Sequence, residues 1–337
     1  MSATSPATAD RPAEQGPADF ARRLVQWQRQ HGRHDLPWQV RDPYRVWLSE
    51  IMLQQTQVAV VLDYFSRFLA RFPTIQALAA APLDAVLAAW SGLGYYQRAR
   101  HLHRCAQVVV ERHAGAFPQT ARELATLPGI GASTAAAIAA FCFDERAAIL
   151  DGNVQRVLCR THGIDDPVPA AATTRRLQAL ANSLLPEAAH MPAYTQGLMD
   201  LGATVCKPRQ PSCLLCPFEA DCRARLGGDP QRLPVRRPAR AARPRRSTVM
   251  LWLRRADDGR TWLEQRPPQG VWPGLWSLPQ FDTVEQAVAH AARLGRVRAQ
   301  CALPGFRHVF THFELSVQPV LITLDPAPQT AEQAGRW

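Results

Sequence analysis

Lysine is almost absent from this chain. Of its 39 Lys and Arg residues, Lys207 is the only lysine. A side-chain amine that attacks a substrate and forms a Schiff base therefore has a single candidate in the whole sequence.

Long apolar runs are also missing. The longest uncharged run, residues 124–143, is interrupted by Pro128, Gly129 and Gly131, so no stretch is predicted to span a membrane. Residues 1–18 are polar and rich in Pro and Ala, without the apolar centre of a secretory signal. We expect these residues to form a disordered tail. We also expect a cytoplasmic, reducing location and no membrane partner.

Acidic residues are too few to balance the arginines. Asp and Glu number 28, which leaves a net charge of +11 on 337 residues. An acidic partner is expected, and nucleic acid is the first candidate. The composition, 47% apolar and 20% charged, is typical of a globular chain, and the length allows two domains.

Cysteines are few, but half of them are concentrated in CKPRQPSCLLCPFEADC. The spacing of this set is six, two and five residues, at Cys206, Cys213, Cys216 and Cys222. Thiolates in such a cluster suit zinc or an iron–sulfur centre. A disulfide set is less favoured, because nothing else in the chain indicates secretion. Lys207 and Arg209 would be placed to contact phosphates, although a solvated charged loop is the simpler interpretation.

The remaining cysteines are scattered among apolar neighbours. We expect all of them to be small core residues: Cys105, Cys142, Cys159 and Cys301.

The pattern along the chain predicts a helical part followed by an α/β part. Residues 19–31 form an amphipathic helix, and about ten helices follow between Tyr44 and Leu226. Residues 227–246 are rich in Arg and Pro, which predicts an extended basic linker. From Ser247 the chain alternates as short strands do, with a helix at 284–295. It ends at Trp337 directly after AEQAGR, so we expect the second domain to be truncated.

The segment LPGIGASTAAAI predicts a tight turn between two helices. Gly129 and Gly131 would let backbone N–H groups face outward at a helix N-terminus, where they can bind phosphate. A plain turn is the alternative. Asp151 follows Gly131 by twenty residues and lies in ILDGNVQRVL. Its Asp-Gly-Asn sequence opens a helix, with Asn153 as a possible cap. From spacing alone, a structural N-cap is the better interpretation of Asp151.

Two further stretches carry unusual polar or aromatic residues. In YRVWLSEIMLQQTQV, helical spacing places Glu50 with Gln54 and Gln57 on one polar stripe. An acid between Trp and Met can have a raised pKa and donate a proton, whereas a solvated helix face is the simpler alternative. In GLGYYQRAR, Tyr95 and Tyr96 precede two arginines, which suits stacking on bases, although both rings could be core residues.

Together these motifs resemble the endonuclease III superfamily of DNA glycosylases. Within it, LPWQ, WLSEIMLQQTQV, GLGYYQRAR, LDGNVQRVL and MDLGATVC are similar to the MutY family of adenine DNA glycosylases, and the match runs from about residue 20 to the end. The resemblance implies a mainly α fold, with a six-helix barrel at 34–150 and an iron–sulfur helical domain from 19–33 and 151–226. It also implies a [4Fe–4S] cluster on the four clustered cysteines and a C-terminal α/β Nudix-like (MutT-like) domain at 247–337.

The resemblance further implies a substrate and roles. The expected partner is double-stranded DNA with adenine mispaired with 8-oxoguanine or guanine, bound by a monomer. Glu50 would protonate the adenine, Asp151 would stabilise the sugar cation, Asn153 would support Asp151, and Ser133 would lie near the adenine pocket. The implied DNA contacts of the first domain are Gln54, Gln55, Thr56, Leu93, Tyr95, Gly129, Gly131, Lys207 and Arg209.

One position separates the subfamilies. Endonuclease III-type lyases carry a catalytic lysine where Ser133 stands, and the only lysine here is Lys207. Strand cleavage through a lysine is therefore not expected.

The second domain resembles the MutT-like reader of 8-oxoguanine. FRHVFTHFEL matches its recognition hairpin, which implies contacts from Phe310, Thr311 and His312. Nudix hydrolases bind Mg²⁺ with a Glu-rich helix, but VEQAVAHAARLG offers only Glu285, so hydrolysis is disfavoured.

Three other functions stay open at this point. One is an endonuclease III-like glycosylase for oxidised pyrimidines, which Ser133 and the Nudix-like domain disfavour. Another is a non-catalytic iron–sulfur protein that binds DNA, which the presence of both Glu50 and Asp151 disfavours. The third is a Nudix nucleotide hydrolase.

Overall fold

The chain divides into two compact units, Met1–Arg237 and Pro238–Trp337. The structure is a computed structural model that describes residues 16–168, 170–235, 243–267, 269–326 and 335–337. Residues 1–15 of the expected N-terminal tail lie outside the described residues. None of the helices in the described ranges is long and apolar enough to cross a membrane.

The first unit is helical. Its α-helices are α1 Pro17–His31, α2 Pro43–Leu53, α3 Val58–Arg71, α4 Ile75–Ala80, α5 Leu83–Ala89, α6 Gln97–His113, α7 Ala121–Leu124, α8 Ala132–Phe143, α9 Gly152–His162, α10 Ala171–Ser183, α11 Met191–Asp200 and α12 Arg223–Leu226. A π-helical turn, Leu201–Val205, continues α11 up to Cys206.

The alanine-rich helix α8 lies at the centre of the first unit. Residues 135–140 of this helix are all buried, and α8 packs against both α2 and α11. Small side chains let neighbouring helices approach closely, so α2 and α11 are brought to one central helix. Large rings fill the space on the α2 side, where the Trp47 ring lies 5.3 Å from that of Phe117.

The N-terminal helix packs against the cysteine-rich segment, almost 200 residues away in sequence. The Phe20 ring stacks on that of Phe218, with centroids 4.2 Å apart. Beside this stack, Arg23 Nη1 donates to Asp221 Oδ2 at 2.6 Å, and Arg23 Nε donates to the Pro217 carbonyl at 3.1 Å. The contact joins α1 to the segment that carries Cys216 and Cys222.

The second unit is a mixed α/β fold around a sheet. Its elements are β1 Arg245–Arg255, β2 Leu263–Gln265, β3 Trp276–Ser277, β4 Gln280–Phe281, α13 Val284–Leu294, β5 Gly295–Ala302, β6 Phe306–Val309, β7 Glu314–Pro326 and β8 Gly335–Arg336. The larger sheet has the order β4-β1-β7-β5, with β6 also paired to β7, and β2, β3 and β8 form a smaller sheet. The β1–β7 pair is parallel, and α13 packs on it through the buried Ala287 and Ala291.

Three parts of the fold differ from the sequence-based expectations. Helix α2 ends at Leu53, so Gln54 and Gln57 do not continue a helical stripe with Glu50. Cys301 is exposed, unlike the other scattered cysteines, because β5 is an edge strand. The linker expected at 227–246 is shorter at both ends. Leu233 is buried in the first unit, and β1 already begins at Arg245. Residues 236–242 lie outside the described residues.

We expect Phe20→Ala to lower the free energy of unfolding of the first unit by about 3–5 kcal/mol, because it empties a fully buried ring site. Urea denaturation followed by helical circular dichroism measures this loss. Val60→Ala is the control, since Val60 is 43% exposed, and it should cost no more than about 0.5 kcal/mol. Equal losses in the two variants would contradict the packing described for α1.

Candidate active site

Glu50 is a half-buried acid in a helix that is otherwise largely buried. Its neighbours Leu48, Ser49 and Ile51 are buried. Burial and the nearby negative charge of Asp151 together raise the pKa of Glu50 to about 8. Both effects disfavour the charged form. At neutral pH this group therefore carries a proton that it can donate.

Asp151 is the N-cap of α9. Its Oδ1 accepts a hydrogen bond from the Val154 N–H at 2.8 Å. The first turn of a helix favours a negative charge, so this position suits an ionised carboxylate. The structural and catalytic interpretations of Asp151 are therefore compatible. The two acids differ in their surroundings, since Glu50 is desolvated whereas Asp151 accepts a backbone N–H at a helix N-terminus.

Ser133 connects the Gly-rich turn to the Asp151 segment. Its hydroxyl accepts a hydrogen bond from the backbone N–H of Leu150 at 3.1 Å. In the turn, Gly129 has φ +77°, and a Cβ there would lie 2.6 Å from that of His101. Gly131 faces open space, and no side chain caps the N-terminus of α8. The backbone N–H groups of this terminus are thus left for an outside acceptor such as a phosphate.

Asn153 is the second residue of α9, and the N-cap is Asp151, so Asn153 is not the cap that the sequence suggested. Its Oδ1 accepts a hydrogen bond from Arg156 Nη2 at 2.8 Å. The same guanidinium donates to the carbonyls of Gly202 and Cys206, each at 2.7 Å. A continuous set of hydrogen bonds therefore runs from the start of α9 to the first of the clustered cysteines.

A pocket of about 440 Å³ opens beside Glu50. Trp38, Gln39 and Gln196 are among the residues that line it. Beneath it, the buried Asp200 accepts hydrogen bonds from Gln196 Nε2 at 2.8 Å and from Arg33 Nε at 2.7 Å. Asp200 therefore fixes two of the polar side chains that line the pocket. A pocket of this size has room for a flipped purine base.

The predicted DNA-contacting residues lie on two turns and a loop. Gln55 and Tyr95 are exposed, Gln54 and Thr56 are half-buried, and Leu93 is buried with only 6% exposure. Gln55 (φ +57°) and Tyr95 (φ +48°) both adopt left-handed backbone conformations. Such conformations typically cost about 1–3 kcal/mol, so the surroundings must hold both residues in them. Lys207 and Arg209 are exposed on the cysteine segment.

The four clustered cysteines line one small cavity together with Arg160. Arg160 Nη1 donates to Cys206 Sγ at 3.4 Å. Burial raises the pKa of Cys216 to about 12, while a backbone N–H of Phe218 lowers it. Burial also raises the pKa of Cys222, while the backbone N–H groups of Arg225 and Ala224 lower it. Within the described part of the chain, no three His, Cys, Asp or Glu side chains converge tightly enough to hold a single ion.

In the second unit, Phe310, Thr311 and His312 form the turn between β6 and β7. The Phe310 N–H donates to the Phe313 carbonyl at 2.8 Å, and the two rings stack with centroids 4.7 Å apart. Thr311 and His312 are exposed at the tip. Glu285 is the only acid on α13, as the sequence shows.

Sequence reasoning missed several residues that the structure brings to the site. Gln196, Asp200 and Arg33 form the hydrogen-bonded set under the pocket, and Arg156 joins α9 to Cys206. In the sequence, Gln196 and Asp200 are four residues apart in the largely apolar stretch MPAYTQGLMD, and this spacing could have identified them. No local signal identified Arg156.

Both units match models of known protein families. Residues 48–183 match the model of the HhH-GPD superfamily base excision DNA repair proteins, and residues 249–337 match the NUDIX domain model. A thermostable thymine-DNA glycosylase aligns with 61% of this chain and 94% of its own (TM-score 0.55, 28% identity). A non-covalent endonuclease III–DNA complex covers 61% of this chain and 95% of its own (TM-score 0.52, 21% identity), which supports the fold alone.

Relatives with a curated function extend over both units. The adenine DNA glycosylase of Buchnera aphidicola subsp. Acyrthosiphon pisum is 34% identical, over 90% of this chain and 87% of its own length. Those of Mus musculus and Homo sapiens are 36% and 35% identical over 94% of this chain, and the match covers 73% and 70% of their lengths.

The helical fold and these relatives define a class of enzyme, the DNA N-glycosylases of base-excision repair. Within that class, the chain belongs to the adenine DNA glycosylase family.

The raised pKa of Glu50 makes folding depend on pH. Because the folded-state pKa lies above the ordinary value of 4.5, the stability that the protonated group contributes is fully present below pH 4.5 and is lost as pH rises through about 8. We expect Glu50→Gln to flatten this part of the curve of unfolding free energy against pH, as measured by urea denaturation. Glu111→Gln, which changes an exposed acid on α6, is the control. Parallel curves for wild type and Glu50→Gln would contradict the buried environment of this acid.

Proposed function

We propose that this chain removes adenine from duplex DNA where it is mispaired with 8-oxoguanine or guanine, and that it does so by hydrolysis alone. The observation that carries the proposal is the place of Glu50 on the wall of a pocket, where burial and the charge of Asp151 raise its pKa to about 8. Adenine is a poor leaving group as an anion, so it must gain a proton as the glycosidic bond breaks.

The proposed reaction gives the two carboxyl groups different roles. Glu50 gives its proton to N7 of the flipped adenine, and the electron pair of the C1′–N9 bond leaves with the base. The sugar then carries positive charge at C1′ and the ring oxygen, which the Asp151 carboxylate stabilises. A water molecule bonds to C1′ and loses a proton to the Glu50 carboxylate, which restores the protonated acid. The products are free adenine and an abasic site.

Selection of adenine is assigned to Gln196. Its Nε2 donates to Asp200, so the amide orientation is fixed and Oε1 is left to accept a hydrogen bond. Adenine has an amino donor where guanine has a carbonyl oxygen, so an accepting Oε1 favours adenine. Asp200 in turn is held by Arg33, which keeps the amide from rotating.

The proposal excludes a lysine nucleophile. Ser133 occupies the hairpin position, and its hydroxyl holds the backbone beside Asp151. Lys207 is exposed on the cysteine segment. Because no other lysine exists in the sequence, the abasic strand should stay intact until alkali cleaves it.

The wider DNA contacts follow from exposure and charge. The N-terminus of α8 with Gly129 and Gly131 binds a phosphate, and Lys207 and Arg209 add cationic contacts. In the second unit, the exposed Thr311 and His312 and the half-buried Phe310 read 8-oxoguanine. The Thr311 hydroxyl can both donate and accept a hydrogen bond. The single acid of α13 gives Mg²⁺ too few ligands for Nudix hydrolysis.

We further propose that Cys206, Cys213, Cys216 and Cys222 hold a [4Fe–4S] cluster. Four thiols around one cavity, an arginine on one sulfur and backbone N–H groups on two others are the usual surroundings of such clusters. The cluster would fix the cysteine segment against α1 and α9.

We expect single-turnover assays to detect adenine release from a duplex with adenine opposite 8-oxoguanine, with strand cleavage only after alkali. Glu50→Gln should reduce release by about 10²-fold or more, because it removes a general acid. The wild-type rate should fall as pH rises through about 8. Cleavage without alkali would reveal a lyase nucleophile, and undiminished release by Glu50→Gln would remove its proposed role.

We expect the purified protein to be brown and to contain iron and acid-labile sulfide in equal amounts. Cys213→Ser should lower both, because it removes one of four thiolates. Cys301→Ser is the matched control, since Cys301 is exposed in the second unit, and it should leave both unchanged. A colourless protein that binds one zinc ion would contradict the cluster proposal.

A further inference from the structure

Two turns of the first unit meet at one side chain. The first runs from Gln54 to Gln57 after α2, and the second from Gly92 to Tyr96 before α6. Each presents an exposed residue with a left-handed backbone, Gln55 in the first and Tyr95 in the second. Few residues other than glycine adopt this conformation unless their surroundings hold them in it.

The guanidinium of Arg98 bonds both turns at once. Nη1 donates to the carbonyls of Ile51, Met52 and Gln54, at 2.9, 2.8 and 2.5 Å. Nη2 donates to the carbonyls of Leu93 and Gly94, at 3.1 and 3.3 Å, and to the Thr56 hydroxyl at 3.2 Å. Nη1 thus bonds the end of α2 and the first turn, whereas Nη2 bonds both turns.

The aromatic side chains around Arg98 complete this arrangement. Its Cζ lies 5.3 Å from the ring centroid of the buried Trp90 and 5.6 Å from that of the exposed Tyr95. Trp90 Nε1 also donates to the Gly94 carbonyl at 3.1 Å. Arg98 therefore lies between the core and the exposed ring.

Only arginine can make this set of contacts. Its planar group carries five N–H donors at fixed angles, whereas lysine has three donors on one nitrogen. A lysine at position 98 keeps the charge but cannot reach both turns with its single nitrogen. The acceptors are neutral oxygens, so the geometry of the donors rather than pairing with an acid selects the residue.

We propose that Arg98 is a positioning residue that holds Gln55 and Tyr95 at a fixed spacing, so that the two side chains enter the duplex together as the target base leaves the stack. The inference rests on the proposed function, because it concerns the base-extrusion step of that reaction. Base extrusion costs a few kcal/mol of stacking and pairing. A preformed pair of inserting side chains lowers that barrier without ordering two loops during the step.

A second role must be separated from this one. Arg98 also bonds the last carbonyls of α2, the helix that carries Glu50. An effect through Glu50 would slow the chemical step on every substrate and change its pH dependence. An effect through the two turns would slow only the release of a base that has to be extruded.

The test compares Arg98→Lys with Arg104→Lys, which changes an exposed arginine on the same helix. Each is assayed by single-turnover release of adenine from two duplexes, one with adenine opposite 8-oxoguanine and one with adenine opposite a one-nucleotide gap. Extrusion is followed by the fluorescence of 2-aminopurine in place of the adenine, with Glu50→Gln added to each variant to block release.

We expect Arg98→Lys to slow release about tenfold or more from the paired duplex but less than about threefold opposite the gap. The rise in 2-aminopurine fluorescence should slow in parallel, while the pH profile stays that of wild type. Arg104→Lys should match wild type throughout. If Arg98→Lys melts at a markedly lower temperature, Thr56→Val is used in its place. This variant removes one acceptor of Arg98 with little change of shape. We expect a smaller loss of rate, again confined to the paired duplex.

Equal losses on the two duplexes, a shifted pH profile or an unchanged rate of extrusion would overturn the role of Arg98. These results are distinct from failure of the proposed function, in which wild type itself releases no adenine from either duplex.

Discussion

The desolvation of one carboxyl group beside the negative charge of a second is the constraint on which the site depends. Glu50 is in a helix whose other faces are buried, and Asp151 caps a different helix. The negative charge of Asp151 and the lack of water both favour the protonated form of Glu50. If Glu50 were solvated and Asp151 moved away, the site would hold no carboxyl group that keeps its proton at neutral pH.

Arginines organise much of the irregular backbone around this pair. Arg98 bonds the carbonyls of two turns, Arg156 those of Gly202 and Cys206, and Arg160 those of Lys207 and Leu233. A guanidinium has several fixed donors and no acceptor, so it can satisfy carbonyl groups that no helix or strand pairs. The functional turns are therefore held by side chains that lie largely inside the first unit.

Local features were predictable from the sequence, and long-range ones were not. Asp151 as a helix cap, the turn at Gly129 and the thiol cluster follow from spacing over a few residues. The end of α2 at Leu53 does not, because Arg98, more than 40 residues later, takes the carbonyls at that end. Likewise, the burial of Leu233 depends on the distant Arg160, and the exposure of Cys301 depends on the position of β5 at the sheet edge. Pairing and burial of this kind are set by tertiary contacts, which composition and periodicity do not contain.

The site depends most directly on a Glu50 that keeps its proton at neutral pH, because the group is desolvated and because Asp151 is charged beside it. Carbon-13 NMR of protein labelled at the glutamate side-chain carboxyl carbon measures this directly, with Glu50→Gln used to assign the resonance. The account predicts a titration near pH 8 that moves to lower pH in Asp151→Asn. A Glu50 resonance that titrates near the ordinary value of 4.5, or that is unaffected by Asp151→Asn, would contradict it.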